Sequence, residues 1–435
     1  MATNKMSPGI HLNLNIRGLK PSATLAINEH SAELIRQGKQ VYKLGLGQSP
    51  FPVPEPVVEA LKKNAYQKDY LPVKGLYQLR ETIAAYHSRK HGIHRRAENV
   101  LIGPGSKELM FLIQLAYYGN LIIPTPSWVS YAPQARIIGR YVNWLPTDSD
   151  HYWKLQPQEI ETLCGNDPES PRLLILNYPN NPTGHTYSKS ELEALAEVAR
   201  KYRIILLSDE IYGELHHEGD HHSIAHYYPE GTIISAGLSK WCGAGGWRLG
   251  SFTFPDSLNW LLDAMAVIAS ETFTAVSAPI QYAAIRAFEG GEEIENYLEN
   301  SRRILRALGR YCVQQMRDAG IKAKDPHGAF YLFPSFRPFE NVLKKRGITN
   351  SISLCEMLLE ETGVATLPGA DFGRPDYKLA IRMAYVDFDG ESALNAVEKI
   401  PAEIEPDESF LKEYCGNVTT AIEQICEWTS RLTQK

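Results

Sequence analysis

Several features that mark specialised classes of protein are missing from this sequence. Its six cysteines are widely scattered and never form a CxxC pair; they are Cys164, Cys242, Cys312, Cys355, Cys415 and Cys426. That spacing suggests neither a zinc site nor a disulfide framework, and it fits a reducing compartment. The first residues lack the charged and then apolar order of a signal peptide, and no apolar run has the length of a membrane span. We therefore expect a soluble, cytoplasmic protein.

Charge of one sign, repeats and flexible linkers are also missing. The 45 basic and 50 acidic side chains give a net charge of −5, with no long block of either sign. This balance argues against a nucleic acid or a membrane surface as the partner. No internal repeat, low-complexity tract or Gly/Ser linker interrupts the chain. Its 435 residues suffice for two domains or one large two-lobed unit.

Short apolar runs alternate with longer amphipathic segments through the middle of the chain. The runs are NVLIG (99–103), NLIIP (120–124), RLLILNYP (172–179), RIILLSDE (203–210) and GTIISAGLSK (231–240). Such runs, separated by helical patterns, indicate strands that are buried on both faces of a mostly parallel sheet. The sequence therefore predicts a large α/β domain over residues 58–305, with helices covering both faces of its sheet.

The two ends of the chain have a different pattern. Strand-like GAFYLFPSF and LAIRMAY stand between helical stretches in the last hundred residues, whereas residues 1–57 have no complete domain pattern. We expect a smaller α+β domain built from both chain ends, with residues 1–57 contributing to it and residues 306–435 forming most of it. The tail from about residue 400 is predicted to be amphipathic helix packed on this domain.

Polar side chains follow the predicted strands at the points where the strands end. Asn181 follows the third run, Asp209 and Tyr212 follow the fourth, and Lys240 follows the fifth. Ligands of open α/β sheets bind beyond the carboxyl ends of the strands. One amide, one carboxylate, one phenol and one amine are thus expected to converge, although each alone also has an ordinary structural interpretation, such as a solvated lysine or a turn.

The first apolar run leads into a predicted anion site. Gly105, Ser106 and Lys107 in PGSKELM stand at a helix start, where free N–H groups and the helix dipole favour phosphate, with Ser106 as a candidate cap. Arg248 would add a charge-assisted contact. An amine, a carboxylate and a phosphate cradle together suggest pyridoxal phosphate, and the glycines around Lys240 would let the backbone pass close to that cofactor.

The ordered set of motifs resembles the class I aminotransferases of the aspartate aminotransferase family, fold type one of the pyridoxal phosphate enzymes. The resemblance extends over roughly residues 19–400 and includes KDYLPVKGLYQLR, TPSWVSYAP, NYPNNPTG, SDEIY, SKWCGAGGWRLG, HGAFYLF and LAIRMAY. It implies the aspartate aminotransferase fold and pyridoxal phosphate as the cofactor. It also implies a ping-pong reaction that moves the amino group of an L-amino acid to a 2-oxo acid.

The resemblance implies a role for each matching residue. As catalytic residues, Lys240 would form the Schiff base and move the proton, Asp209 would pair with the pyridinium, and Tyr212 would donate to the ring O3′ together with Asn181. The other implied cofactor contacts are Gly105, Ser106, Lys107, Trp128, Ser239 and Arg248, with Tyr70 reaching the phosphate from the second subunit of a homodimer. Arg382 would clamp the substrate α-carboxylate in a pocket lined by Gly47, Trp128 and Asn181.

Three further matches bear on the substrate. The bacterial-type branch of aspartate and prephenate aminotransferases carries KPSxT near the N-terminus and a lysine in the phosphate-loop helix, which this chain matches with Ser22, Thr24 and Lys107. These matches favour aspartate or glutamate as the amino donor, unless Lys107 is simply a solvated first-turn residue. The usual GEPDF of the family is GQSPF here, which leaves the preference open. Gly237 replaces a common phosphate-binding serine, which suggests one fewer phosphate contact.

Other functions stay open at this point. The nearest alternatives are an aminotransferase for aromatic or neutral amino acids, a β-eliminating lyase and a racemase on the same scaffold. A non-catalytic regulator is disfavoured, because the implied catalytic residues are all present and no DNA-binding domain is visible.

The histidine-rich HHEGDHHSIAH (216–226) is interpreted as an exposed loop rather than a metal site, and no metal is expected. Cys242 is interpreted as a packing residue.

Overall fold

The computed structural model describes residues 11–19 and 23–433 of the chain. Its strands are β1 (Tyr42–Lys43), β2 (Val100–Gly103), β3 (Asn120–Thr125), β4 (Val142–Pro146), β5 (Arg172–Asn177), β6 (Ile205–Asp209), β7 (Thr232–Gly237), β8 (Gly250–Thr253), β9 (Tyr331–Leu332), β10 (Val364–Ala365), β11 (Leu367–Pro368) and β12 (Ile381–Ala384). Short 3₁₀ turns cover Ala97–Asn99, Gly213–Leu215, Ile224–His226, Gly245–Trp247, Asp256–Leu258, Arg337–Phe339 and Gly369–Phe372.

Helices account for most of the remaining structure. They are α1 (Ala23–Arg36), α2 (Glu55–Asn64), α3 (Tyr77–His91), α4 (Ser106–Ala116), α5 (Tyr131–Ile137), α6 (Pro157–Cys164), α7 (Lys189–Lys201), α8 (Asn259–Ser270), α9 (Ala278–Glu289), α10 (Glu292–Asp318), α11 (Glu340–Lys345), α12 (Ser351–Thr362), α13 (Gly390–Val397), α14 (Glu408–Tyr414) and α15 (Gly416–Thr433). Among the described residues, none of these helices is long and apolar enough to cross a membrane.

A seven-stranded sheet forms the centre of the larger part of the chain. Its strands run in the order β2-β8-β7-β6-β5-β3-β4, and β8 alone is antiparallel to its neighbours. The mostly parallel sheet is therefore confirmed, and the five predicted strands are all present. The strands β4 and β8 were not predicted. VNWLP of β4 is a half-exposed edge strand and GSFT of β8 is only four residues long, so neither presents a strong apolar run.

Alternate residues of the central strands pack on opposite faces of this sheet. Leu173 and Ile175 of β5 lie in the core formed with α4 and α8, whereas Leu174 and Leu176 lie in the core formed with α6 and α7. Every residue of β5 is buried. Because both faces are covered by helices, the strand reads as a continuous apolar run rather than an alternating one.

The two ends of the chain meet in a second, smaller layer. The strand β1 pairs in parallel with β10, and β9, β11 and β12 form an antiparallel three-stranded sheet. These elements and their helices confirm the predicted α/β class with a smaller α+β part built from both ends. The predicted domain limits at 57/58 and 305/306 fall inside the continuous helices α2 and α10, and those limits stay predictions.

The last described residues form two helices that pack on this smaller part. Asp407 caps α14 by accepting a hydrogen bond from the amide of Phe410. The helix α15 contacts α10, α12, β1 and β10. Its buried residues recur at helical spacing, at Val418, Ile422, Ile425 and other positions of the same face, which makes the tail amphipathic as the sequence indicated.

Candidate active site

The predicted site residues converge on a cavity of about 310 Å³ at the carboxyl ends of the parallel strands. It is lined by Leu46, Gly47, Ser106, Lys107, Trp128, Ser130, Asn177, Asn181, Asp209, Ile211, Tyr212, Ser239, Lys240, Arg248, Tyr331 and Arg382. Asn181, Asp209 and Lys240 follow β5, β6 and β7, which are neighbours in the sheet. The parallel order therefore brings residues from separate sequence motifs to one edge.

One wall of the cavity is the start of α4. Gly105 is its N-cap with φ of 88°, and a Cβ built on this residue would lie 2.4 Å from a guanidinium nitrogen of Arg248. Ser106 is thus the first helical residue and not the predicted cap, because the left-handed turn needs glycine at the cap position. The amides of Ser106 and Lys107 donate to no acceptor within the described part of the chain. A helix start with free amides beside an arginine suits an anion.

The neighbouring strands leave no room for a larger side chain at Gly237. A Cβ at this position would lie 2.9 Å from the carbonyl oxygen of Leu249 on the approach to β8. A serine like that of many relatives would therefore require a shift of the antiparallel pair β7 and β8.

Asp209 ends β6 and is almost fully buried. The hydroxyl of Tyr131 donates to its Oδ2 at 2.5 Å, whereas its Oδ1 has no partner within the described residues. Burial raises the pKa of Asp209 to about 6, and the hydrogen bond from Tyr131 opposes that rise. A buried carboxylate with one free oxygen can accept one more hydrogen bond from a ligand.

Asn181 and Tyr212 line the same cavity as Asp209, and each has its own neighbours. The side chain of Asn177 holds the turn, since its amide donates to the carbonyl of Asp209 and its Oδ1 accepts from the amide of Asn181. The Oδ1 of Asn181 is buried without a partner among the described residues. The hydroxyls of Tyr212 and Tyr331 lie 2.7 Å apart, and burial raises the pKa of Tyr212 far above its ordinary value.

Lys240 projects into the cavity from the turn after β7. Its Nζ donates to the carbonyl oxygen of Gly47 at 2.7 Å. Burial lowers the pKa of this amine to about 8, and the positive charges of Arg382 and Arg248 lower it further, while Asp209 opposes the shift. A substantial fraction of Lys240 is therefore neutral, and so nucleophilic, near pH 8.

Arg382 lies on β12 and forms the opposite wall. Its side chain is buried, it donates to the carbonyl of Gly45, and its Nε has no partner in the described chain. The guanidinium lies 4.9 Å from the ring centre of Tyr331 and 5.3 Å from that of Phe372. Burial lowers the pKa of Arg382, which means that the charge is poorly solvated. Such a group is well suited to bind a carboxylate in bidentate fashion.

Lys107 stands at the mouth of the cavity, on the first turn of α4. Its Nζ lies 5.2 Å from the ring centre of Trp128, and Trp128 in turn packs edge-on against Tyr131. The surrounding protein atoms lower the pKa of Lys107, and the charge of Arg248 lowers it further. Because Lys107 forms no ion pair with any described residue, its charge faces the cavity unneutralised.

Two tyrosines with direct contacts to the site were missed by the sequence reasoning. Tyr131 holds Asp209, and Tyr331 holds Tyr212 and lies beneath Arg382. Both stand inside motifs that carried the resemblance, TPSWVSYAP and HGAFYLF. The only available signal was a tyrosine hydroxyl within a motif, which by itself does not identify its hydrogen-bond partner.

Of the predicted residues that the structure describes, Tyr70 and Gly105 are not among those that line this cavity, although Gly105 caps the helix that forms one wall. Ser22 lies outside the described residues, and the side chain of Thr24 is likewise outside them. Tyr70 is described, but its side chain is 92% exposed on this chain and touches none of the cavity. Its predicted contact is with a second subunit, which a single chain does not test.

The interpretation of HHEGDHHSIAH as an exposed loop is wrong for part of the segment. His217 is buried, with its ring nitrogens 3.2 and 3.1 Å from the carbonyl oxygens of Pro326 and Ala329. The side chain of His221 is buried against Glu210, with 2.9 Å between its Nε2 and the carboxylate. The turn at 326–329 and Arg306 of α10 contact His217, whereas His221 packs against the rings of His91 of α3 and Tyr178. Among the described residues, no three metal-ligating side chains converge.

The interpretation of Cys242 as a packing residue is supported by its full burial in the core. Burial also raises the pKa of its thiol, which disfavours the reactive thiolate.

The fold and the residues at its sheet edge define an α/β enzyme with a buried amine, a buried carboxylate and a buried arginine in one cavity. Comparison with known proteins gives the same class. The family profile "Aminotransferase class I and II" matches residues 39–400. Relatives include an asparagine–oxo-acid transaminase of Streptococcus mutans, 30% identical over 91% of this chain and 99% of the relative. They also include the aspartate/prephenate aminotransferase of Thermus thermophilus, 31% identical over 89% and 97%.

Among solved structures, the aspartate aminotransferase of Thermus thermophilus with maleate superimposes with a TM-score of 0.82. It is 29% identical in sequence, and the match covers 96% of this chain and 100% of that one. The chain belongs to the aminotransferase class I and II family, within its aspartate aminotransferase branch, and it is a transaminase. Members of this family depend on pyridoxal phosphate.

The lowered pKa of Lys240 gives a measurable prediction. In the cofactor-free protein, acylation of Lys240 should rise with a midpoint near pH 8 instead of near its ordinary value of 10.5, because burial and two arginines disfavour the charged amine. Competitive labelling followed by mass spectrometry would measure this midpoint for Lys240.

Two variants should move that midpoint in opposite directions. Asp209→Asn removes a charge that raises the pKa of Lys240, so the midpoint should fall, whereas Arg382→Gln removes a charge that lowers it, so the midpoint should rise. A midpoint near 10.5 in the unmodified protein, or shifts of the same sign in both variants, would contradict this account of the site.

Proposed function

We propose that this transaminase holds pyridoxal phosphate in the cavity around Lys240 and takes the amino group of an acidic L-amino acid, aspartate or glutamate, for transfer to a 2-oxo acid. The observation that carries the proposal is the set of buried polar groups in that cavity that have no partner among residues 11–19 and 23–433. Buried polar groups are normally hydrogen-bonded, so several unpartnered groups facing one space indicate that a ligand completes them.

The unpartnered groups match the functional groups of this cofactor. The free Oδ1 of Asp209 faces the cavity, where a protonated ring nitrogen would donate to it, and the free amides of Ser106 and Lys107 with Arg248 would hold the phosphate. Asn181 and Tyr212 would hold the ring oxygen, and Trp128 and Ser239 complete the walls. When bound, the cofactor supplies an electron sink for bond changes at the substrate Cα.

Lys240 has the position and the pKa for two proposed tasks, the link to the cofactor and the transfer of a proton. Its amine lies in the cavity within 2.7 Å of the carbonyl of Gly47, where it would link to the cofactor aldehyde. After release from the cofactor, the Nζ of Lys240 would be placed to take the proton from the substrate Cα and to hold it for return. A pKa of about 8 suits both directions of this transfer near neutral pH.

Arg382 fixes the direction in which the substrate lies. Its buried guanidinium faces the cavity from the side opposite α4, and the ring of Tyr331 supports it. A bidentate contact with the α-carboxylate would hold the Cα–H bond near Lys240. The α-carboxylate would in turn neutralise a charge that the protein leaves poorly solvated.

Lys107 carries the proposed preference for acidic donors. Its ammonium group lies at the cavity mouth, away from Arg382, and has no ion-pair partner among the described residues. An amino acid whose α-carboxylate binds Arg382 would direct its side chain toward another part of the cavity, and a distal carboxylate there would neutralise Lys107. The names of the two relatives given above include asparagine and aspartate, which both have four carbons. Asparagine carries an amide where aspartate has its distal carboxylate. Neutral donors therefore belong in every assay.

A homodimer with shared sites is the proposed assembly. Tyr70 is 92% exposed on this chain, and Tyr66 on the same segment is 75% exposed, which is unusual for two large aromatic side chains in one segment. A second subunit would cover this segment and receive the hydroxyl of Tyr70 at its phosphate site.

The absorption spectrum is the experiment that tests the proposed function. The purified protein should show the yellow band of a lysine-linked cofactor, and L-aspartate or L-glutamate should convert it to the near-ultraviolet band of the aminated cofactor without any acceptor. Lys240→Ala should abolish turnover and the borohydride-reducible link to the protein.

Other outcomes would point to the alternative functions. Pyruvate and ammonia formed without an acceptor would indicate β-elimination. An unchanged yellow band with both acidic donors, together with conversion by an aromatic or amide donor, would overturn the substrate assignment while leaving the transaminase intact.

The role of Lys107 is tested by its removal. Lys107→Ala should lower kcat/KM for L-aspartate by about tenfold or more, because a charge-assisted hydrogen bond contributes roughly 1.5–3 kcal/mol. For L-alanine the loss should stay within about twofold, since no distal carboxylate is present. Lys189 is a matched control, because it too is an exposed lysine on the first turn of a helix, and Lys189→Ala should affect neither donor. Equal losses for both donors in Lys107→Ala would refute distal-carboxylate recognition.

Complementation between subunits tests the shared site. Tyr70→Ala should weaken cofactor binding several-fold, whereas Tyr66→Ala should not. A purified hybrid dimer of one Tyr70→Ala subunit and one Lys240→Ala subunit contains a complete site only if Tyr70 acts across the interface. That hybrid should then regain near-normal cofactor affinity at half of its sites, measured by fluorescence titration. No regain, or an active monomer in sedimentation, would rule out the shared site.

A further inference from the structure

A second cavity, of about 370 Å³, lies outside the site described above. One side of it is the loop after β4, residues 148–153, and the other side is the edge of the small three-stranded sheet, near Ser335 and Ala380. It thus opens between the larger and the smaller part of the chain. Its volume is within the range of small-molecule sites in proteins, which is roughly 300–1,000 Å³.

Cationic side chains dominate the lining of this cavity. They are Lys322, Lys324, Arg337, Arg374 and Lys378, against the two acidic residues Asp148 and Asp150. None of the five cations forms an ion pair with a described residue, although the chain as a whole carries a net charge of −5. Because five cations share the cleft with only two carboxylates, the local potential is positive and favours an anion there.

The base of the cavity holds one of these cations in a fixed position. The guanidinium of Arg374 lies 4.6 Å from the ring centre of Trp153 and donates to the carbonyl of Thr147 at 3.2 Å. Burial lowers the pKa of Arg374, while Asp148 opposes this shift. A half-buried guanidinium stacked on an indole keeps its remaining donors oriented, so less conformational entropy is lost when an anion binds.

We propose that this cavity is a binding site for a small multivalent anion, whose phosphate or carboxylate groups are bound by Arg374 from the base and by Lys322 and Lys378 from the small sheet. The ligand is compact, because the cavity has room for a few charged groups and little apolar wall beyond Trp153 and Phe333. Several charges are needed on the ligand, because five cations from the smaller part of the chain line one cavity.

An aromatic chain connects this cavity to the catalytic one. Trp153 packs edge-on against Phe333 at 5.9 Å, Phe333 packs against Phe372 at 6.1 Å, and Phe372 lies under the guanidinium of Arg382. An anion bound to Arg374 would act on this chain at its first ring, because the guanidinium of Arg374 is stacked on Trp153. If Arg382 binds the substrate carboxylate as proposed above, the bound anion changes the affinity of Arg382 for it, and by thermodynamic linkage a bound substrate changes the affinity for the anion equally.

Calorimetry on the holoenzyme tests the proposal. The holoenzyme is saturated with maleate, so that the cofactor occupies the proposed phosphate site and maleate occupies Arg382. Any further anion binding is then measured outside the catalytic cavity. Pyrophosphate and citrate are the probes, and their relative affinities distinguish a phosphate ligand from a polycarboxylate one. At least one probe should bind saturably, with one site per subunit.

Matched double variants localise that binding. Lys322→Gln combined with Lys378→Gln should weaken it at least tenfold. Lys344→Gln combined with Lys412→Gln removes the same charge from two lysines that are ion-paired along their own helices, and should change affinity less than twofold. The bound probe should also shift KM for the amino donor in the unmodified enzyme and not in the first variant.

Two results would overturn the proposal. One is the absence of saturable binding by either probe. The other is equal weakening in both double variants, which would mean that the anions respond to overall charge. Both variants should keep the absorption spectrum of the holoenzyme, which separates loss of the anion site from loss of the fold or of the catalytic cavity.

Discussion

The burial of charges that the protein itself leaves unneutralised is the constraint on which the rest of this structure depends. Asp209 and Arg382 are almost fully buried and Lys240 is partly buried, and each retains a polar atom or a charge that no described side chain satisfies. Removing such groups from solvent costs several kcal/mol each unless partners replace the water. Such a cavity persists because a rigid sheet with a packed core on either face prevents it from collapsing or filling with side chains.

The positions of these groups follow from the sheet order. The carboxyl ends of β5, β6 and β7 are adjacent, so the residues that follow them meet although the motifs are far apart in the chain. The small sheet contributes Arg382 from β12 and Tyr331 from β9, which are paired strands. The residues proposed to hold the cofactor and the arginine proposed to bind the substrate carboxylate thus rest on separate sheets. Tyr331 joins them, since its hydroxyl meets Tyr212 while its ring supports Arg382.

Sequence reasoning found the fold class because buried parallel strands are long apolar runs. It also predicted that Asn181, Asp209, Tyr212 and Lys240 converge, because they stand at or just after the ends of those runs, and all four line one cavity. It missed β4 and β8, whose short or half-exposed segments lack that signal. It missed Tyr131 and Tyr331 because their importance depends on a partner from another part of the chain. It wrongly predicted that His217 and His221 are exposed, for the same reason. A polar segment is expected to be exposed, but here distant parts of the chain cover these two side chains. Its domain limits stay untested, because continuous helices cross both positions.

The pairing of β1 with β10, covered by α15, has a consequence for the order of events during synthesis. Tyr42 and Lys43 leave the ribosome early, but their strand partner is Val364–Ala365 and the helix that buries the pair ends at Thr433. The seven-stranded sheet, by contrast, is complete once Thr253 has emerged. Domains generally fold as units while the chain grows. The large sheet can therefore form on the ribosome, whereas the smaller layer, and with it the wall that holds Arg382, must wait until α15 has emerged.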